Sequence, residues 1–325
     1  MNYTVEKLLD LPFYTEGPAV DRDGNWYVTT LTGGEIIRLD KAGDYTVWGK
    51  TACPNGQVVL PTGEHWVCDP EQAAISRFGS DGAYQGSVIQ KVCASVDVQS
   101  PNDLVIDSRQ NLYFTDSIRA DGKVFFVGAD GTERLVADGI DYANGLVLSA
   151  DETKLYVAES YQNRVLVIEL TEPGIPKRQA TVLANLPAHS SGNPTGNLPD
   201  GLALDHQDRV WVAHYGMQAI QVVSAQGEWQ FSLDTTLPLT SNLCFLEDQP
   251  ERQTLLVTGG FGEPGPGGVV LITVYPQPNE HEVTFLSFVF AHDNCFENRS
   301  AACGRLVGIA PAAGWKRLGG HVRGC

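Results

Sequence analysis

The sequence lacks the features of several common protein classes. No run approaches ~20 apolar residues, so no transmembrane helix is expected. The beginning, MNYTVEKLLDLPFYTEGP, has neither a basic start nor a long apolar core, so no signal peptide is expected. Basic residues are few, with 22 Lys and Arg against 39 Asp and Glu and a net charge of −17. This charge opposes binding to nucleic acid and to anionic membranes, and we predict neither partner.

Cysteine pairs and several catalytic motifs are also missing. The 7 cysteines are dispersed without a C-x-x-C pair, which favours reduced thiols in a cytoplasmic protein. The sequence contains no G-x-S-x-G elbow and no glycine-rich phosphate loop. Serine hydrolase, kinase and dinucleotide-binding functions therefore have no support.

The sequence contains instead a repeated pattern of short strands. Six segments each consist of an apolar run, a polar turn and a second alternating run, which is the pattern of a β-hairpin. The first residues of these segments, here called the openers, are Glu16, Asn55, Asn102, Asn144, Asp200 and Asn242. Repeats of ~40–50 residues with three or four strands each are typical of a β-propeller. We therefore predict an all-β, six-bladed β-propeller.

The two ends of the chain receive different predictions. An alternating strand at residues 3–11 precedes the first repeat, whereas the sixth repeat lacks a fourth strand after Val274. We predict that the N-terminal strand closes the last blade and so removes an open edge. Residues 1–275 would form the propeller, and residues 276–325 a C-terminal extension of unassigned structure. The proline-containing insertion at residues 171–199 is predicted to be a surface loop.

The openers share one chemistry. Because equivalent positions of the inner strands surround the central channel of a propeller, the six openers would form a ring of oxygen acceptors. Carboxylate and amide oxygens without thiols or imidazoles favour a hard cation such as Ca²⁺ or Mg²⁺. The alternative is that Asn-Gly and Asp-Gly mark turns. Asp23-Gly24 lies in such a polar turn, whereas Asp200-Gly201 directly precedes an apolar strand, which favours the ring.

Four ordered motifs carry a resemblance to a known family. They are TEGP at 15–18, SPND at 100–103 with YFTD at 113–116, NG at 144–145 with KLYV at 154–157, and PDG at 199–201 with VAHYG at 212–216. With these motifs, residues 12–275 resemble the family of gluconolactonase, regucalcin (senescence marker protein) and luciferin-regenerating enzyme. The resemblance implies a divalent-metal-dependent lactonase, a carboxylic-ester hydrolase that acts on a small lactone or ester.

The resemblance also implies site residues. The metal ligands would be Glu16, Asn144 and Asp200, with Asn102 as a further ligand or a substrate contact. The ion would be calcium, with Mg²⁺, Mn²⁺ and Zn²⁺ as alternatives. Asp200 is the candidate general base for a lactone-attacking water, and Asp116 is a candidate substrate-binding residue that shapes the site. Ser100 stands where animal regucalcin-like members have an arginine that grips a sugar acid, which leaves the identity of the lactone open.

Three other functions stay open from the sequence. A diisopropylfluorophosphatase-like phosphotriesterase shares the fold and a similar oxygen-ligand metal site. The strictosidine-synthase-like branch resembles residues 142–145 and 156–160, although two acidic openers favour the lactonase branch. The third function is a non-catalytic calcium-binding propeller, because a fold alone does not give a function. The sequence does not predict an oligomeric state.

Overall fold

The computed structural model describes residues 2–192 and 196–275, and the strands in these ranges form six antiparallel sheets. The predicted C-terminal extension, residues 276–325, lies outside the described residues. No described helix is long and apolar enough to cross a membrane. The four cysteines in the described ranges are unpaired, as predicted: Cys53, Cys68, Cys93 and Cys244.

Each sheet is one blade of a six-bladed β-propeller, which confirms the predicted fold. Blade 6 contains the N-terminal strand β1 (Asn2–Leu11). Blade 1 contains β2 (Thr15–Val20), β3 (Trp26–Thr30), β4 (Glu35–Leu39) and β5 (Tyr45–Lys50). Blade 2 contains β6 (Gln57–Val59), β7 (His65–Asp69), β8 (Ala74–Phe78), β9 (Tyr84–Gln90), β10 (Val92–Cys93) and β11 (Val96–Asp97). Blade 3 contains β12 (Pro101–Ile106), β13 (Leu112–Asp116), β14 (Gly122–Val127) and β15 (Glu133–Ile140).

The second half of the ring repeats this order. Blade 4 contains β16 (Ala143–Leu148), β17 (Lys154–Glu159), β18 (Arg164–Glu172), β19 (Ile175–Pro176) and β20 (Thr181–Asn185), with a 3₁₀ turn at Ser160–Gln162. Blade 5 contains β21 (Leu198–Leu204), β22 (Val210–Tyr215), β23 (Ala219–Val223) and β24 (Trp229–Asp234). Blade 6 is completed by β25 (Leu239–Gln249), β26 (Arg252–Gly260) and β27 (Gly267–Tyr275).

The N-terminal strand closes the ring as predicted. β1 pairs with β27 along its whole length, from Asn2 opposite Tyr275 to Leu11 opposite Gly267. Tyr3 and Val5 pack against the apolar cluster between blades 5 and 6, while Leu11 is buried in the cluster between blades 6 and 1. The first strand in the chain therefore serves as the outer strand of the last blade and joins two blade interfaces.

The prediction of a surface loop at residues 171–199 is wrong in part. β18 continues to Glu172, and β20 pairs with β18 as the outer strand of blade 4. Proline is tolerated at a sheet edge because an edge strand needs fewer backbone donors, so the prolines of this segment do not exclude pairing. The stretch from Leu186 to Asn197 contains no strand among its described residues.

The core consists of six apolar clusters, one at each interface between neighbouring blades. The smallest lies between blades 1 and 2, where the buried apolar residues are Ile36, Val67 and Phe78. A buried histidine supplements this cluster, because the His65 ring lies 4.1 Å from the Trp48 ring and 4.5 Å from the Tyr27 ring, centroid to centroid. Apolar packing between the blades leaves the central channel to polar side chains.

Acid should weaken the fold through this histidine. Burial lowers the pKa of His65 to about 4, whereas an unfolded histidine titrates near ~6.5. The unfolded state therefore binds more protons between these values, and the stabilising contribution of neutral His65 is lost as the pH falls through this window. We expect His65→Gln to flatten the decline in unfolding free energy by up to about 1.4 kcal/mol per pH unit near pH ~5. Urea unfolding between pH ~4.5 and ~7 measures this slope, and an unchanged slope would contradict a neutral His65 in the fold.

Candidate functional site

Five of the predicted openers lie at one equivalent position at the start of the inner strand. In β12, Pro101 pairs with Asp116 and regular pairing resumes only at Leu104, so Asn102 begins an interruption of the ladder. Asn144 in β16 and Asp200 in β21 begin the same interruption, and the register of β2 shifts after Glu16. Asn55 stands directly before β6 in the corresponding place. At Asn102, Asn144 and Asp200 this irregularity takes the opener out of regular pairing, whereas Glu16 still pairs with Thr29 directly before the shift. All five openers line one cavity at the end of the channel.

The prediction of Asn242 as the sixth opener is wrong by one residue. In β25, Thr240 pairs with Gly259 and Asn242 already pairs with Thr258, so Ser241 has the register of the openers. Ser241 Oγ donates a hydrogen bond to the Thr15 backbone oxygen at 2.8 Å. Asn242 is shifted by one position and does not line the cavity of the openers. Its Nδ2 lies 3.5 Å from Asp103 Oδ2.

The glycines after the openers have a packing role. A Cβ atom on Gly145 would lie 2.3 Å from the Asp200 backbone oxygen, and one on Gly201 would lie 2.1 Å from Asn242 Oδ1. Neighbouring inner strands therefore approach each other so closely that only glycine fits. The Asn-Gly and Asp-Gly pairs at 144–145 and 200–201 thus lie where neighbouring inner strands contact each other around the channel. They do not mark turns.

The openers meet at one cavity of about 380 Å³ at the end of the channel. The structure brings together the four predicted metal ligands Glu16, Asn102, Asn144 and Asp200, and adds Asn55. The remaining lining residues are Tyr14, Leu31, Tyr142, Ser160, Tyr161, Leu198, Tyr215 and Glu263. A larger cleft of about 480 Å³ is lined by residues of blades 3 and 4, and its arginines Arg164 and Arg178 are paired with Glu159 and Glu169.

The cavity concentrates negative charge. Glu16 and Asp200 are both buried there, and no Lys, Arg or His is among the described lining residues. Burial, followed by the charge of Asp103, raises the pKa of Glu16 to about 8. Burial, followed by the charges of Glu16 and Asp103, raises the pKa of Asp200 well above its usual value. A positive charge in the cavity would favour the ionised form of both carboxylates.

The donor atoms present fit a hard divalent cation. Asn144 Nδ2 donates to Ser160 Oγ at 3.2 Å, while the buried Asn144 Oδ1 has no hydrogen-bond partner within the described ranges. Asn55 Oδ1 is in the same condition. Within residues 2–192 and 196–275 no group of three or more His, Cys, Asp or Glu side chains could hold a metal. A site here is therefore a mixed carboxylate and amide site, whose oxygens suit Ca²⁺ or Mg²⁺.

Asp116, the candidate substrate-binding residue, does not line the cavity. Its Oδ1 accepts a hydrogen bond from the Gln99 backbone N–H at 3.0 Å and a second bond from the Ser100 N–H. Asp69 and Glu159 end the second strands of blades 2 and 4 and accept backbone N–H groups in the same way. The described contacts of Asp116 therefore position the segment that carries Asn102.

The sequence pattern missed most of the cavity rim. Tyr142 and Tyr161 are packed edge to face at 5.5 Å, and Tyr14 and Tyr215 at 6.3 Å, between ring centroids. Tyr142 precedes the opener of its blade by two residues, a spacing that could have indicated its position. Glu263 lies in the connection between β26 and β27, where no periodicity marks it.

Comparison with known proteins identifies the family. A lactonase drp35 from Staphylococcus haemolyticus is 28% identical over 235 residues, 68% of this chain and 69% of that protein. A gluconolactonase from Zymomonas mobilis is 32% identical over 222 residues, 63% of this chain and 60% of that protein. A solved structure described as a calcium-binding protein, regucalcin, from Agrobacterium tumefaciens has the same fold, with a TM-score of 0.68 at 18% identity over 85% of this chain and 96% of that chain. The SMP-30/Gluconolactonase/LRE-like family model matches residues 14–260, and the chain belongs to this family.

Proposed function

We propose that the protein hydrolyses a lactone with the help of one divalent cation. The proposed ion is calcium, and Glu16, Asn102, Asn144 and Asp200 would hold it. The observation that carries the proposal is the convergence of these residues, from four different blades, on one cavity with two buried carboxylates and an unpartnered amide oxygen. Relatives with the names lactonase and gluconolactonase support the reaction class, and the calcium-binding neighbour supports the ion.

The residues of the chain divide the chemistry among them. When bound, a divalent cation supplies Lewis-acid polarisation of the lactone carbonyl. Glu16, Asn144 and Asp200 would hold the ion, and Asn102 would complete the ligand set and orient the substrate without adding charge. Asp200 accepts a proton from water as the water oxygen bonds to the carbonyl carbon, and it returns this proton to the ring oxygen when the carbon–oxygen bond breaks. The product is the open hydroxy acid, and Asp200 is again an ionised carboxylate at the end of the reaction.

We also propose a cytoplasmic setting, on the grounds of charge and cysteine chemistry. The four described cysteines are unpaired, which supports a reducing compartment and hence the cytoplasm. A net charge of −17 supports small molecules rather than nucleic acid or anionic membranes as partners.

Metal exchange combined with a substrate panel tests the proposal. Protein stripped with EDTA and refilled separately with Ca²⁺, Mg²⁺, Mn²⁺ and Zn²⁺ is assayed with simple lactones and with diisopropyl fluorophosphate. We expect lactone hydrolysis to disappear on stripping and to return best with Ca²⁺, because the oxygen donors suit a hard cation. Circular dichroism of the stripped protein controls for unfolding.

Each other result has a distinct meaning. Undiminished hydrolysis by the stripped protein would contradict the role of the metal. Activity on the organophosphate alone would indicate a phosphotriesterase. A calcium-binding protein that leaves the whole panel intact would be a non-catalytic propeller.

A further inference from the structure

The rim of the cavity combines aromatic rings with one carboxylate. Tyr14, Tyr142, Tyr161 and Tyr215 line the cavity together with Glu263, which is exposed at the mouth. We propose that this rim selects lactones with a quaternary-ammonium or similar alkylammonium substituent. The inference rests on the proposed lactonase function of the same site and specifies its substrate class.

The tyrosines surround the mouth from three blades. Tyr14 stands directly before β2 of blade 1, Tyr142 and Tyr161 flank β16 and β17 of blade 4, and Tyr215 ends β22 of blade 5. Tyr14 and Tyr215 form one edge-to-face pair and Tyr142 and Tyr161 form another. The negative face of an aromatic ring attracts a cation, and several rings around one space are the usual way to bind a quaternary ammonium group.

Glu263 adds a full negative charge to these rings. Tyr215 and Glu263 both line the cavity. Burial, followed by the Glu263 carboxylate, raises the pKa of the Tyr215 hydroxyl. A divalent cation deeper in the cavity would balance Glu16 and Asp200 and would leave the charge of Glu263 uncompensated. An ammonium group at the rim would contact the rings and this carboxylate at the same time.

The described rim offers no cationic side chain to an anionic substrate. None of the described lining residues is Lys, Arg or His. Arg119 lies close by, but its guanidinium stacks on the Tyr161 ring at 3.5 Å and its Nε is 2.8 Å from Asp141 Oδ1, and Arg119 does not line the cavity. The Arg119 guanidinium therefore already occupies one face of the Tyr161 ring. The excess of acidic residues over the whole chain also attracts cations to the mouth.

A neutral sugar lactone is the competing substrate class. Its hydroxyl groups would hydrogen-bond to the tyrosine hydroxyls and to Asn102, but they would leave the charge of Glu263 without a counter-charge. Because Glu263 is exposed, water screens part of its attraction. We therefore expect a preference for the cationic substrate of about tenfold and not of several thousandfold.

A pair of isosteric substrates measures this preference. The calcium-loaded protein is assayed with a γ-lactone that carries a trimethylammonium group and with the same lactone carrying a tert-butyl group, which has equal shape and no charge. We expect kcat/KM to be about tenfold higher for the cationic lactone, and we expect Glu263→Gln to reduce this ratio to about twofold. Glu251→Gln removes the same charge from an exposed turn of blade 6, between β25 and β26, and should keep the wild-type ratio.

A binding measurement separates the two proposals. Tetramethylammonium chloride is titrated calorimetrically into calcium-loaded protein, with sodium chloride as the ionic-strength control. Binding that weakens at least threefold in Glu263→Gln supports the rim site even if neither lactone is hydrolysed, a result that would overturn only the proposed function. Equal hydrolysis of both lactones, a preference for a neutral or carboxylate-bearing lactone, or no tetramethylammonium binding would overturn the inference and leave the proposed lactonase function standing.

Discussion

Replacement of Asp200 with asparagine is expected to reduce lactone turnover by about 10²–10⁴-fold, the usual contribution of a general base. Asparagine has nearly the same shape and retains one oxygen, but it does not accept the proton of the attacking water. The same change removes the repulsion between the buried carboxylates of Glu16 and Asp200. We therefore expect the metal-free variant to unfold at a higher temperature than metal-free wild type. Steady-state kinetics and thermal unfolding measure the two effects.

Glu16→Gln is the matched control for Asp200→Asn. Both substitutions remove one buried negative charge from the same cavity. In our proposal Glu16 only holds the ion, so saturating calcium should restore much of the activity of Glu16→Gln. It should not restore the activity of Asp200→Asn. Full recovery of Asp200→Asn at high calcium would make Asp200 a ligand alone, and wild-type turnover would remove it from the mechanism.

Deletion of residues 2–11 is expected to abolish cooperative folding. The deletion would leave β27 with an open edge, and it would uncover the apolar surfaces that Tyr3, Val5 and Leu11 cover at two blade interfaces. The buried apolar area of this strand contributes on the order of 5–10 kcal/mol. A total stability of ~5–15 kcal/mol leaves little after this loss. Urea unfolding followed by tryptophan fluorescence should show no sharp transition.

A rearranged chain controls for the deletion. Asn2 pairs with Tyr275, so β1 can follow β27 directly through a short hairpin turn. Truncated protein with residues 2–11 fused after residue 275 should regain the cooperative transition. The point variant Glu6→Gln, on the exposed face of β1, should unfold like wild type. Cooperative unfolding of the simple deletion would show that the ring is stable without its closing strand.

The fold could be predicted because the repeat controls it. Apolar alternation in the inner strands, polar turns and similar spacing each mark a blade, and six interfaces between blades bury the alternating residues. Glu16, Asn102, Asn144 and Asp200 could be predicted to meet because they open inner strands at one register. The sequence pattern did not reveal the interruption of pairing in β25. An apolar run shows which residues alternate between the two faces of a strand, but it does not show which residue of the neighbouring strand each one pairs with. Asn242 was therefore assigned to the position that Ser241 has.

The sequence pattern could not reveal Glu263 and Tyr215 of the rim, for a different reason. Glu263 and Tyr215 lie in or next to connections, where no period relates a residue to the channel. Their meeting depends on how two distant loops are held by blades 5 and 6. β20 was missed because an edge strand needs only a few inward apolar residues, and Ala184 is the one buried residue of this strand.

Closure by the N-terminal strand also dictates the order of events during translation. Blades 1 to 5 consist of strands that are consecutive in the chain, so each can form as it leaves the ribosome. β1 emerges first and must wait for β27, which at ~5–20 residues per second takes on the order of tens of seconds. Throughout this interval its charged residues Glu6, Lys7 and Asp10 oppose pairing with a foreign strand edge. The charged residues of β1 thus protect this strand from pairing with another chain before β27 is available.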